Sequence, residues 1–147
     1  MARYSAAFVW AALGYFTLGM FLGLAMALDP TSMGLLRTTH VHVNLLGWVS
    51  MFIFGVAYHV LPRFAGQPLH SPRLADLHVV LANVGLVGLV LGFALSGPGP
   101  VVAVFGALET LGGLCFVYNV GRTLLAARRA DRLLPLARPV AGAAPRG

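Results

Sequence analysis

Charge is what this sequence has least of. Only 10% of its 147 residues are charged, while 59% are hydrophobic and the mean hydropathy is +0.84. A soluble domain carries about 25% charged residues. A chain this apolar cannot cover itself with a polar surface, so a soluble fold is excluded. Lysine is absent, and all ten basic residues are arginines; the acids are Asp29, Asp76, Glu109 and Asp131. The net charge of +6 does not point to nucleic acid. The arginines stand at the ends of apolar runs and in the C-terminal tail, where they anchor spans and meet anionic lipid headgroups. The one cysteine, Cys115, lies inside an apolar run. It offers no disulfide and no Cys-x-x-Cys redox or zinc motif, and reads as a packing residue. No clean small-x-small cleavage site precedes Asp29-Pro30, and the first apolar run exceeds a typical signal-peptide core; it reads as a retained helix.

Four apolar runs remain, over about 6–28, 39–61, 77–95 and 101–125. At 1.5 Å per residue, about twenty residues cross a hydrocarbon layer roughly 30 Å thick. Asp29-Pro30 stops the first run. Thr38 or Thr39 is placed to cap the second, and Pro62-Arg63 to end it. The polar stretch 63–76 is the longest loop, and Ser96-Gly97-Pro98-Gly99-Pro100 is a turn. The expectation is an all-α membrane protein. A four-transmembrane-helix bundle occupies residues 1–127, and a basic, Pro/Ala-rich cytoplasmic tail 128–147. With both termini on one side, that side holds nine arginines and the other only Arg37. The positive-inside rule then makes the chain N-in/C-in in a bacterial inner membrane. His40 and His42 fall near the outer face, and His59, His70 and His78 near the inner one.

Ligating side chains inside a membrane span are functional candidates, because they are costly to hold there. His40 and His42 are two apart, about 200° around a helix. His40 shares its side with Asn44, Gly47, Met51, Gly55 and Tyr58, a small and polar stripe suited to the bundle interior. His42 shares its side with Leu46, Val49, Ile53 and Val60, all aliphatic. An imidazole at the end of an aliphatic stripe suits a flat apolar cofactor with Nε2 on its metal. Haem meets that description better than zinc or copper, which want three or four converging ligands. The plain alternative is a helix-end histidine reaching interfacial water. Trp48 is placed to pack on a haem edge. Glu109, flanked by Gly106 and Gly113, is placed to bond His40, Asn44 or a haem propionate, or to act in proton transfer. His59 and His78 are placed to converge on a second, inner site.

His42-Val43-Asn44, followed by Gly47-Trp48, Phe54-Gly55, Tyr58 and Leu61-Pro62-Arg63, resembles the second transmembrane helix of haem–copper oxidase subunit I. The likeness is to the cbb-type oxidases, the nitric oxide reductases and short stand-alone relatives. It implies haem b with His42 as an axial ligand. There is no His-Pro-x-x-Tyr-type segment for a copper or non-haem iron centre, and the later helix with the second haem histidine is missing. The resemblance therefore does not imply that this chain alone reduces oxygen or nitric oxide. A second axial ligand would come from Met20, Met26 or the His42 of another copy. That makes a homo-oligomer with haem in each protomer or shared at an interface the expectation; a five-coordinate haem would instead bind nitric oxide, carbon monoxide or oxygen. The expected role is electron transfer or gas binding in the lipid bilayer, beside a respiratory electron donor or an oxidase or reductase subunit. The rival readings are a cofactor-free accessory or assembly subunit, and a copper- or zinc-handling protein using His40, His42 and Glu109.

Overall fold

The structure, a computed structural model, describes residues 1–133. They form four helices: α1 (Arg3–Leu28), α2 (Pro30–Phe64), α3 (Pro72–Ala94) and α4 (Gly99–Leu133). Each is long and apolar enough to cross a membrane, and no strand occurs among the described residues. The all-α, four-span expectation holds. Antiparallel α1 and α2 pack along their length, as do α3 and α4. The two pairs join where the first half of α2 meets α3 and its last half meets α4. The core is drawn from every helix, with Phe8, Ala12, Met51, Tyr58, Ala82, Leu86 and Val120 buried together. Large apolar side chains such as Trp10, Phe21, Ile53 and Val117 stand exposed around it, as they do in a bundle whose solvent is lipid.

The ends of α2 differ from expectation. It starts nine residues before Thr39, through a 3-10 turn over Pro30–Ser32. Asp29 caps it, accepting the Thr31 N–H at 3.0 Å and the Thr31 hydroxyl at 2.6 Å. These bonds hold the Asp29 carboxyl below its ordinary pKa. Asp followed by Pro at the first helical position is a complete start signal, so Thr38 and Thr39 lie mid-helix and cap nothing. His40 and His42 therefore stand about three turns inside α2, not at its mouth. At the other end Pro62 is inside the helix. Closure comes at Gly66, whose φ is +59°: its N–H donates to the Arg63 carbonyl at 3.1 Å and the Gln67 N–H to that of Pro62 at 3.0 Å. That paired closure needs a left-handed residue, which glycine adopts without strain. The loop expected over 63–76 is correspondingly shorter, because Ser71 caps α3 through the Leu74 N–H at 3.2 Å. Asp76 sits within α3 and pairs with Arg3 of α1, with Nε to Oδ1 at 3.0 Å.

Between its α-helical ends, α2 is π-helical over Val43–Ser50. The buried positions of the helix explain why. Thr39, Val43, Gly47, Met51 and Gly55 are all buried and four residues apart. In an α-helix, steps of four drift by about 40° each, which would carry such a line off the core. The wider π turn cancels the drift. Gly47 is wedged between neighbours, since a Cβ there would lie 2.6 Å from Tyr15 Cγ and 2.9 Å from Leu86 Cδ2. α4 continues past Arg128 to Leu133, and 134–147 of the expected tail lie outside the described residues.

Candidate functional site

His42 is held on two sides. Its Nδ1–H donates to the Thr38 carbonyl one turn back, at 2.9 Å. Its ring leans on Phe93 of α3 with centroids 4.8 Å apart. A ring nitrogen committed to a backbone carbonyl leaves Nε2 with its lone pair free, the arrangement typical of a metal-binding imidazole. The π turn shifts the stripe expected on the His42 side: in steps of four His42 is in line with Leu46, Ser50 and Phe54, all half-buried. Val49 and Ile53 fall on the adjacent line with Val41 and Leu45, where all four are 41–57% exposed. That aliphatic line, next to the His42 line, is not covered by another helix among the described residues.

His40 faces elsewhere. Its Cε1 lies 3.1 Å from where a Cβ on Gly23 would stand, and Asn44 occupies the space above Gly19. The Asn44 amide donates to the His40 carbonyl at 2.9 Å and lies 3.4 Å from its Nδ1. The Gly19–Gly23 notch of α1 thus receives Asn44 and His40. The two histidines do not converge, as their spacing predicts. Below Gly47 the expected interior stripe is buried at Met51, Gly55 and Tyr58. Above it the buried line passes to Val43 and Thr39, while His40 and Asn44 are half-buried.

The remaining candidates are dispersed. Trp48 stacks between Phe16 of α1 and Phe52, at 4.5 and 5.2 Å, and is not brought to His42. Glu109 packs its backbone against Gly85 of α3. Its Oε2 is buried without a hydrogen-bond partner, and it bonds neither His40 nor Asn44. Among the described residues no three His, Cys, Asp or Glu side chains gather as a metal site.

His78 was expected at the inner interface; it is instead fully buried. Phe8 and Phe54 pack on its ring at 4.6 and 4.7 Å. Tyr58 Oη is 3.1 Å from its Nδ1, and its Nε2 is buried with no partner. The signal was there in the helical spacing, because His78 lies in line with Ala75, Ala82 and Gly85, the small residues α3 turns inward. His59 instead contacts Arg63, with Nδ1 and Nη1 3.0 Å apart, so His59 and His78 do not form a shared site. Tyr58→Phe would leave both ring nitrogens of His78 unpartnered, which costs about 1–3 kcal/mol for a buried polar group. Unfolding in mild detergent should begin at measurably lower denaturant than for the parent protein; equal midpoints would show that the Tyr58–His78 bond contributes nothing.

Residues 3–137 match the family described as Cytochrome C and Quinol oxidase polypeptide I. The chain is 30% identical over 122 residues to the CcoN1 subunit of the cbb3-type cytochrome c oxidase of Stutzerimonas stutzeri, covering 63% of this chain and 26% of that subunit. It is 32% identical over 115 residues to cytochrome c oxidase subunit 1 of Rhodobacter capsulatus, covering 58% and 22%. To a cytochrome c oxidase subunit 1 homolog of Agrobacterium tumefaciens it is 31% identical over 126 residues, covering 63% and 23%. The chain spans about a quarter of the length of these relatives. No solved structure gives a significant match. Since the family match takes in nearly all of the four-helix bundle, the chain belongs to the Cytochrome C and Quinol oxidase polypeptide I family.

Proposed function

We propose that the chain is a haem b-binding membrane protein with His42 as axial ligand, serving electron transfer or the binding of a diatomic gas. The observation that carries this reading is the His42 ring, fixed by the Thr38 carbonyl and by Phe93 with Nε2 left bare. One imidazole beside an uncovered aliphatic flank fits a haem, which needs one or two axial donors. It does not fit a closed zinc site, which needs four. Bound there, haem b would supply one-electron chemistry or an open iron position for a gas. The protein's part is to fix the imidazole tautomer, orient the ring and offer an apolar flank. Within this reading His40 and Asn44 are positioning residues that seat α2 in the α1 notch. The Gly19–Gly23 notch of α1 lies on that His40 side of α2, and Met20 beside it is 52% exposed. The second position is then open, or filled by the His42 of another copy in a homo-oligomer. The arginine count supports an N-in/C-in placement in a bacterial inner membrane. The names of the relatives support a respiratory electron donor or oxidase subunit as partner.

The test is the absorption spectrum of the detergent-purified protein, oxidised and dithionite-reduced, after expression with ample haem. A Soret band with sharp reduced α and β bands identifies a six-coordinate electron carrier. A broad reduced band identifies an open site. A colourless protein overturns the proposal: bound copper or zinc then indicates metal handling, and its absence a cofactor-free accessory subunit.

A further inference from the structure

The last third of α4 carries a cleft of about 290 Å³ lined by His70, Arg122, Leu125, Ala126 and Arg129. Three of its five lining residues can carry positive charge and none is acidic. The cleft is built into the fold. The His70 N–H donates to Thr123 Oγ1 of α4 at 3.0 Å. Ser71 and Asn119 clamp the same strand of chain through two more bonds, at 2.9 and 2.8 Å. The His70 ring and the Arg122 guanidinium both contact the Tyr118 ring, at 5.7 and 5.9 Å between centres. Depth decides what such a cleft meets. From Val101 to Arg122 an α-helix rises about 31 Å, roughly the thickness of the hydrocarbon layer. Arg122 therefore lies at its boundary and Arg129 about 10 Å beyond, among the headgroups. Tyr118, Leu114 and Leu111 continue the Arg122 side of α4 toward the bilayer centre, and each is about half exposed. A cationic cleft with an apolar track running from it has the polarity of one phospholipid molecule.

We infer that this cleft is a binding site for an anionic phospholipid, its phosphate held by Arg122 and Arg129 and one acyl chain laid along Tyr118, Leu114 and Leu111. A free phosphate would use only the two arginines and leave the apolar track idle.

The experiment is native mass spectrometry of the whole protein, delipidated in detergent and titrated with phosphatidylglycerol, phosphatidylcholine or inorganic phosphate. Phosphatidylglycerol should be retained preferentially. A cation near an anionic headgroup is worth about fivefold in affinity, so Arg122→Ala/Arg129→Ala should lower retention by roughly 25-fold while Arg37→Ala, at the other end of the bundle, leaves it unchanged. If the double variant fails to fold, Arg129→Gln alone, at an exposed position, should give about a fivefold loss. The site is refuted by equal retention of phosphatidylcholine, or by a phosphatidylglycerol preference that survives the arginine substitutions or falls equally with Arg37→Ala. Displacement of the lipid by millimolar inorganic phosphate would overturn the lipid assignment in favour of a free-anion site.

Discussion

His42→Ala is expected to yield a colourless protein from cells in which the parent chain is purified with haem, while His40→Ala keeps its Soret band. The asymmetry follows from where the two rings point. His42 has one nitrogen committed to the Thr38 carbonyl at 2.9 Å and the other free beside an uncovered aliphatic face. His40 is packed over Gly23 with Asn44 alongside, so removing it opens a small gap between α1 and α2 and touches no ligand. Loss of the protein's own metal bond should take haem retention below detection. A supporting residue that only orients a ligand typically costs 10- to 100-fold in affinity, so His40→Ala and Asn44→Ala should at most weaken retention. Exogenous imidazole should restore colour to His42→Ala, because it replaces the missing donor without rebuilding the helix. A His40→Ala protein that loses its haem while His42→Ala keeps it would transfer the assignment to His40.

The second large effect is expected at Gly85. An added Cβ would lie 2.7 Å from the Glu109 backbone nitrogen and 3.0 Å from its Cα, so α3 and α4 touch main chain to main chain. No side-chain rotation relieves such a clash; the helices must separate. Overpacking of this kind costs about 1–3 kcal/mol, and Gly85→Val should lie at or above the upper end. Gly85→Ala is the more telling variant, because helix propensity alone favours alanine by about 1 kcal/mol. Gly14 in α1 has nothing within 4 Å of the same hypothetical carbon, so Gly14→Ala should stabilise or leave the midpoint unmoved. Opposite signs for Gly85→Ala and Gly14→Ala, measured by unfolding in mild detergent, would show that interhelical contact outweighs propensity in this bundle. Matching signs would remove Gly85 from the packing argument.

The number of spans and the divergence of His40 from His42 were legible in the sequence because each depends on a single quantity. Span number follows from runs of apolar residues, and divergence from the turn angle of a helix. The start of α2 is not legible from hydropathy, which rises only near Thr39. A helix begins where its first N–H groups find acceptors, and Asp29 supplies one ten residues earlier. The same holds for His78: counted from the start of the apolar run it falls at the interface, but α3 begins at Pro72 and turns His78 inward with Ala75 and Ala82. The isolation of Trp48 from His42 follows from one helix alone, since six residues place them on different sides of α2; that of Glu109 from His40 is a matter of which helices are neighbours, and no one-helix argument can supply it. The π turn was least accessible of all, since only the demand of α1 and α3 on the same line of buried residues makes a widened helix the better one.

The π segment also makes α2 a helix that is one residue over length for the distance it spans. Removing a single residue between Val43 and Ser50 would let the ladder relax to ordinary α geometry without breaking the span. Seven α steps from Val43 to Met51 would turn about 700°, against the two full turns that now keep both residues buried, so everything above the deletion would keep its aim relative to Met51, Gly55 and Tyr58 to within about 20°. The Nε2 of His42 would stay beside Phe93. A residue removed from the α-helical stretch between Met51 and Tyr58 has no widened turn to absorb it and would re-aim the imidazole by about 100°. The π segment is thus a stretch of α2 whose length can change while the imidazole keeps its direction, although at Gly47 the wedge between Tyr15 and Leu86 still leaves no room for a side chain.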